Sequence, residues 1–286
     1  MRAMPNKQSK KLTLSIVIPA YNEEGYLKAC LESIAQQTVK PDEVVVVDNN
    51  STDDTIEVAR SYKGVRIIRE ATQGVFYAST RGFRESKGDV IARIDADSIL
   101  PSDWSAKVLN DFFDENVVAS TGPVNYYDMP MPKHNYWFDH IMRKFVYKYS
   151  PQTPFLYGSN MAVRKSAWQQ VAEGLCTDRD IHEDIDLAVH LYLKGLKIKY
   201  NKDLLSGASG RRYNDGAKDF KDYITMYKNN YSRHDLHGKA VLPALFMWTL
   251  GYVLVHPWRS LWYALHRRFY ITPQTTKSRK NPMAAS

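Results

Sequence analysis

Three times in its first hundred residues the chain ends a short apolar run on a polar loop that carries carboxylates. Residues 12–18 lead into 19–24, residues 44–47 into 48–54, and residues 90–94 into Asp95-Ala96-Asp97. Between these runs lie segments of helical period, with Leu27, Leu31 and Ile34 on one face and a further helix predicted from Gly74 through Ser86. Residues 65–68 add another strand, and a polar turn at 49–53 is able to cap a helix over 56–59. Apolar strands alternating with amphipathic helices predict an α/β fold: a mixed, mostly parallel sheet flanked by helices. In a parallel sheet all strand carboxyl ends lie along one edge, so the three acidic loops are expected to converge on one crevice. Polarity common to all loops explains each of them singly, but less well the recurrence of carboxylates directly after buried strands.

Asp95 and Asp97 stand two residues apart at a strand end, where extended-chain alternation points them to the same side. Paired carboxylates suit Mg²⁺ or Mn²⁺, which take oxygen ligands and share themselves with substrate phosphates. A diphosphate leaving group is what such a cation stabilises. Further along, His182-Glu183-Asp184-Ile185-Asp186 clusters acids before a helix predicted over 185–193, where they also suit the helix dipole. This is not a zinc-protease motif, since HExxH needs His at 186, where Asp186 stands. Arg211-Arg212 offers guanidinium forks to a diphosphate or a lipid phosphate, or is simply solvated.

The stretches 15–24 (SIVIPAYNEE), 46–55 (VVDNNSTDDT) and 88–97 (GDVIARIDAD) resemble, in order, the successive signatures of family 2 glycosyltransferases. The resemblance covers residues 12 to about 200. It implies a GT-A (Rossmann-like) fold, an inverting transfer and a nucleoside-diphosphate-sugar donor. It assigns nucleoside contacts to Pro19, Ala20, Tyr21, Glu23 and Asp48, with Asp53 nearby. Asp95 and the adjoining Ala96 fall against the ribose, and Asp97, with Asp95 beside it, falls at the metal. The Glu-Asp pair matches Glu183 and Asp184; inversion needs a base opposite the departing diphosphate, and Asp184 is the expected base with Glu183 second. Gly158, Ser159 and Asn160 resemble the small-residue turn on the acceptor side, although a plain turn accounts for them too. A Ser-x-Arg-Arg stretch like that at 209–212 recurs in small members, which draws Arg211 and Arg212 into the donor site. One departure is Ala78-Ser79-Thr80-Arg81-Gly82, where members carry Ala-Arg-Asn-x-Gly, so a donor contact from this helix is not expected unless Arg81 substitutes. No Gln-x-x-Arg-Trp of the processive polymerases occurs, which favours single-sugar addition to a glycan or polyprenyl-phosphate acceptor in cell-envelope polysaccharide synthesis.

A net charge of +8 raises the question of nucleic acid. Nine of the basic residues lie in residues 1–11 and 266–286, which hold no acid; without them 30 basic residues face 31 acidic ones. Basic tails on a near-neutral body fit an anionic membrane surface, or solvated tails that bind nothing, rather than a nucleic-acid face. No apolar stretch precedes Leu12, so no secretory signal is expected. Cys30 and Cys176 lie outside any CxxC spacing, so neither a disulfide framework nor a thiolate metal site is expected, and a reducing compartment is the simpler reading.

Residues 240–265 are the most apolar stretch, interrupted by Pro243 and Pro257. Basic residues on both flanks argue against a simple span and for a helix-break-helix that lies in the membrane interface or re-enters the bilayer, with a buried helical pair as the alternative. Phe138, Ile141, Phe145 and Tyr149 repeat at helical spacing and are expected in the core rather than on a docking face, with an interfacial helix as the alternative. The predicted organisation is a basic tail (1–11), a catalytic domain (12–215), a helical, membrane-associated appendage (216–270) and a basic tail (271–286), placed in the cytoplasm on the inner face of the membrane. Two other readings are a sugar-1-phosphate nucleotidyltransferase, which wants a glycine-rich basic loop where PAYNEE stands, and a noncatalytic membrane-tethered binder, which has no use for a base.

Overall fold

A computed structural model describes residues 11–129, 132–239 and 241–266. The chain runs β1 (Leu14–Ala20), α1 (Glu24–Ala35), β2 (Glu43–Asp48), α2 (Thr55–Arg60), β3 (Val65–Arg69), α3 (Val75–Glu85) and β4 (Val90–Arg93). It continues through α4 (Trp104–Asp111), β5 (Val117–Thr121), β6 (Val124–Tyr126), α5 (Pro132–Tyr149), β7 (Met161–Arg164), α6 (Lys165–Gln169), α7 (Glu183–Leu193) and β8 (Lys197–Tyr200). Last come β9 (Ser206–Ala208), α8 (Ala217–Arg233) and α9 (Val241–His266).

Seven strands form one sheet in the order β3-β2-β1-β4-β7-β5-β8, and β6 pairs with β9 beside it. β1, β2, β3 and β4 are mutually parallel, β7 runs antiparallel between β4 and β5, and β8 is parallel to β5. The chain leaves β1 toward β2 on one side and reaches β4 on the other, so a crevice opens beyond the carboxyl end of β1 at this switch of strand order. The strands are apolar on both sides, as a sheet covered on both faces requires. Leu14, Ile16 and Ile18 pack toward α1 and Trp104 of α4, while Val17, Val45 and Val47 pack toward Phe83 of α3, Trp168 and Leu187 of α7.

A third core joins Met142 and Val146 of α5, Ile185 and Val189 of α7, Tyr227 and Tyr231 of α8, and Ala244 and Leu245 of α9. The segment expected as an appendage after residue 215 thus shares a core with the catalytic body. Two helical expectations need correction. The stripe Ile141, Phe145, Tyr149 is exposed, and α5 instead buries Asp139, Met142, Arg143 and Val146. Within the 240–265 stretch, Val241 onward belongs to one helix, Val241–His266, that carries Pro257 inside it, not a helix-break-helix. The basic tails expected at 1–11 and 271–286 lie outside the described residues, apart from Lys11.

Candidate active site

The loops after β1 and β2 are stitched together by their own polar side chains. Asn22 N–H donates to Ser51 Oγ (3.1 Å), Glu23 N–H to Thr55 Oγ1 (2.7 Å) and Glu24 N–H to Asp53 Oδ2 (3.2 Å). Asp53 also accepts from Thr55 N–H at 3.0 Å. Asp53 therefore acts as the clip between two loops and lies outside the cleft, away from the donor position expected of it.

The cleft at the switch point has a volume of ≈ 270 Å³. Pro19, Ala20, Tyr21, Glu23, Asp95, Ala96, Asp97, Gly158, Ser159, Glu183, Asp184, Arg211 and Arg212 all line it, so the structure gathers most of the expected site. Asp48 sits fully buried just beneath, paired with Ala20 across β1 and β2. Its Oδ1 accepts from Ser51 N–H (3.0 Å); its Oδ2 makes no hydrogen bond and lies 3.6 Å from Arg69 Nε. Asn49, next to it, lines the cleft.

Asn160 does not line the cleft. Its side chain accepts from Trp104 Nε1 (2.9 Å) and donates to the carbonyls of Pro123 (2.9 Å) and Leu204 (2.7 Å), all buried. That is a structural tie among α4, β6 and the β8–β9 connection. Arg81 pairs with Glu85 at 3.2 Å and is not a cleft residue.

The cleft centres on a residue the sequence reading did not single out. Arg93, with a side chain 7% exposed, lies 3.0 Å from Asp95 Oδ1 and 3.1 Å from Glu183 Oε1 through Nη2. It packs against Gly158 so closely that a Cβ there would fall 0.9 Å from Nη1. The available signal was a lone charge inside the otherwise apolar strand run at 90–94, in phase with Asp95 and Asp97.

Glu183 and Asp184 occupy the first turn of α7, which starts two residues earlier than predicted. Asp184 Oδ2 accepts from Gly158 N–H (2.6 Å) and Oδ1 from its neighbour Ile185 N–H (2.8 Å), which aims the carboxylate across the cleft from the β4 end. Burial pushes the Glu183 carboxyl up to about 7, against the pull of Arg93 and with the Asp184 charge adding to the rise. Asp184 is likewise raised by burial, opposed by Arg93 and by its backbone donors. His182 is pushed down to about 3 by burial, so it stays neutral and is no proton carrier near neutrality.

On the other wall Arg211 bridges two loops. Its Nη1 and Nη2 reach Glu23 at 2.8 and 2.7 Å, its Nε reaches Asp97 Oδ2 at 2.9 Å, and its guanidinium lies over the Tyr26 ring at 4.5 Å. Arg212 covers the Tyr223 ring at 4.4 Å. Asp95 and Asp97 offer oxygen donors side by side at a strand end, a set that fits a hard divalent cation; each is engaged by an arginine, while a carboxylate has about four acceptor positions. The far end is aromatic, with Tyr126, Tyr157, Tyr213, Phe220, Tyr223, Tyr227 and Trp248. Several of these come from α8 and α9, so those helices build the cleft rather than trail it.

A profile of glycosyl transferase family 2 matches residues 15–171, more than half of the chain. The O-antigen chain rhamnosyltransferase RfbN of Salmonella typhimurium is 25% identical over 66% of this chain and 64% of its own length. Glycosyltransferase GlyG of Streptococcus pneumoniae is 28% identical over 78% of this chain and 69% of its own. A matching segment of EpsH of Bacillus subtilis takes in 31% of that protein, so the chain spans less than two thirds of both RfbN and EpsH. The mannosyltransferase PcManGT of Pyrobaculum calidifontis, solved with GDP-Man and Mn²⁺, superposes with a TM-score of 0.63 at 18% identity, covering 92% of this chain and 77% of that one. Residues 1–349 of S. aureus TarS, solved with UDP, superpose at 0.54 with 17% identity, over 82% and 70% of the two chains. The fold these structures share is GT-A.

Proposed function

The chain belongs to glycosyl transferase family 2, and from that premise we propose that it moves one sugar from a nucleoside-diphosphate-sugar, with inversion, onto a hydroxyl of a lipid-linked glycan. The observation that carries this reading is the opposition, across one cleft, of Asp95 and Asp97 at the end of β4 to the Glu183–Asp184 pair, which Gly158 N–H and Arg93 hold in place.

The nucleoside lies over Pro19, Ala20 and Tyr21, with Asp48 beneath as acceptor for its polar edge and Asp95 and Ala96 against the ribose. Asp97, with Asp95, would hold Mg²⁺ or Mn²⁺, which would supply positive charge to the departing diphosphate. Arg211 and Arg212 supply guanidinium donors to the same phosphates. Asp184 takes the proton of the acceptor hydroxyl, the freed oxygen attacks the anomeric carbon, and the electron pair of the breaking bond leaves with the nucleoside diphosphate. Arg93 keeps Asp184 and Glu183 from sharing too much negative charge. A buried carboxylate raised by burial above its ordinary value is a stronger base for a sugar hydroxyl. A phosphate acceptor is already anionic, so direct transfer to a polyprenyl phosphate, the second reading, makes less use of this pair.

The aromatic end of the cleft suits sugar rings, which stack their C–H faces on tyrosine and tryptophan. It opens beside α9, whose outer side exposes Leu242, Phe246, Val253, Leu254 and Trp258. α9 is the one helix among the described residues long and apolar enough to cross a membrane. It nevertheless sends Ala244, Leu245 and Tyr252 into the protein, and its Gly251 lies against Phe138 of α5, whose own exposed side carries Trp137, Ile141, Phe145 and Tyr149. A helix buried along one side and apolar along the other suits a seat in the cytoplasmic lipid interface rather than a span.

The deciding measurement is release of nucleoside diphosphate from GDP-, UDP- and dTDP-sugars with Mn²⁺, with and without lipid-linked glycan and polyprenyl phosphate. Acceptor-dependent turnover with one donor class, abolished by Asp97→Asn and by Asp184→Asn, is expected. Turnover undiminished in excess EDTA removes the metal from the scheme. A product that retains the donor's anomeric configuration removes the single displacement.

A further inference from the structure

Outside the active-site cleft, beside α7, four side chains of metal-binding type meet. Cys176 comes from the segment after a 3₁₀ turn at Ala172–Gly174, Asp186 and His190 lie one turn apart on α7, and His234 caps the carboxyl end of α8. One potential ligand atom from each lies within 4.8 Å of all the others. None of the four lines the active-site cleft.

The contacts converge on a point rather than forming a chain. Asp186 Oδ1 is 3.0 Å from His234 Nε2, Asp186 Oδ2 is 3.7 Å from His190 Nε2, and Cys176 Sγ is 3.9 Å from His234 Nε2. His190 Nε2 is shut off from solvent and makes no hydrogen bond. A Cys-His-Asp relay is not possible here, because thiol and carboxylate address the same nitrogen of His234 and a relay needs opposite ones. Ligand atoms around a tetrahedral zinc, with metal bonds of about 2.0–2.3 Å, stand about 3.3–3.7 Å from one another. The observed separations bracket that range.

We infer that Cys176, Asp186, His190 and His234 form a structural zinc site. This goes beyond the proposed transfer reaction and does not depend on it. One sulfur, two imidazoles and one carboxylate are borderline-soft ligands in the number zinc prefers, and the wrong set for Mg²⁺ or Ca²⁺. The surroundings already hold the ligands in place. Cys176 N–H donates to Asp186 Oδ2 at 2.8 Å, and Arg233, beside His234, grips Asp178 (2.7 Å) and Asp180 (2.6 Å) of the same loop as Cys176. A Cβ at Gly174 would lie 3.5 Å from the His190 ring, so backbone closes that side. No CxxC spacing announces such a site, because its ligands come from three separate segments and its one thiol stands alone in sequence. A cation here clamps α7 to α8 within the same first turn that carries Glu183 and Asp184, so its work is to hold the catalytic turn against the aromatic wall.

The test uses the full chain purified in Mg²⁺-containing buffer without added zinc. About one zinc per chain should persist through gel filtration. After chelation, added Co²⁺ should give a thiolate-to-cobalt charge-transfer band together with strong tetrahedral d–d bands. Cys176→Ser should lose the charge-transfer band and weaken cobalt binding by more than about 100-fold. Chelation should lower Tm, and zinc but not Mg²⁺ should restore it. The catalytic carboxylates bind no metal through sulfur, so these spectra cannot arise from Asp95 and Asp97. Wild-type protein with less than about a tenth of a zinc per chain and no charge-transfer band overturns the site. So does a band that survives in Cys176→Ser. Should that variant not fold, the wild-type stoichiometry and cobalt spectrum decide the matter alone.

Discussion

Arg93 occupies the space that a side chain at position 158 would fill: a Cβ on Gly158 would stand 0.9 Å from its Nη1. Gly158, expected in a small-residue turn on the acceptor side, lines the cleft and admits the guanidinium that joins Asp95 to Glu183, while its N–H holds Asp184. Gly158→Ala should therefore expel Arg93 from between the two carboxylates. Overpacking a closed site costs about 1–3 kcal/mol, read in a denaturant melt. The kcat loss should exceed about 100-fold, because both walls of the cleft lose a common partner. A variant with near-normal kcat would show that Arg93 has no part in aligning the pair.

The acid limb of kcat/KM should inflect near the raised value of about 7 that burial imposes on Glu183, with Asp184 sharing the titration. The base works only when deprotonated, so the rate should climb with pH through that region and level off above it. Glu183→Gln removes a neighbouring negative charge and should move the limb to lower pH. Arg93→Gln removes the charge that opposes the rise and should move it to higher pH. Stability moves the opposite way. The folded pair holds its protons above the usual carboxylate value of 4.5, so its contribution to stability declines as pH rises from there toward about 7. A limb that neither variant moves would place the essential base elsewhere.

Asn160 was expected on the acceptor side and is instead spent on three buried partners. Asn160→Ala would orphan Trp104 Nε1 and two carbonyls, at about 1–3 kcal/mol for each group that water does not reach. The expected result is a large fall in denaturation midpoint with kcat/KM per folded molecule within about threefold of the parent. Normal stability with lost acceptor affinity would restore the original assignment.

Most of the fold was legible because parallel βα units write themselves as apolar runs that end on polar loops, and the convergence of 19–24, 48–54 and 95–97 followed from the sheet alone. Asp95 and Asp97 both line the cleft, but from a turn after β4, closed by Ser98 N–H on the Asp95 carbonyl at 2.9 Å, rather than from the extended chain that was expected. What escaped was what depends on packing between distant segments. The apolar stripe of α5 pointed to the core, yet Asp139 and Arg143, one turn apart, are buried there because each satisfies the other at 2.6 Å, with Val124 N–H donating to Asp139 at 3.0 Å. A paired, hydrogen-bonded charge can be interior where a lone one cannot, and hydrophobic periodicity does not register the pairing. Asp53 was read by its loop, while its bonds to Glu24 and Thr55 give it a joining task that no motif states.

The exposed side of α9 offers the last test. Leu242, Phe246, Val253, Leu254 and Trp258 face away from the protein, so replacing them leaves no cavity in the core. Triple substitution Phe246→Asn, Leu254→Asn, Trp258→Ser should hold Tm within a few degrees. If this side sits among lipids, each large apolar side chain withdrawn from water contributes about 1.5–3 kcal/mol to the seat, and losing three should weaken vesicle partitioning by more than about 100-fold. Lys144 and Lys148 lie exposed among the aromatics of α5, so vesicles containing phosphatidylglycerol should bind the parent better than pure phosphatidylcholine, and salt should narrow the difference. Turnover with a short-chain water-soluble acceptor should survive the triple substitution, whereas turnover with a long-chain lipid-linked acceptor in vesicles should fall with the partitioning. Equal vesicle binding by parent and variant would mean that this apolar side meets something other than a bilayer.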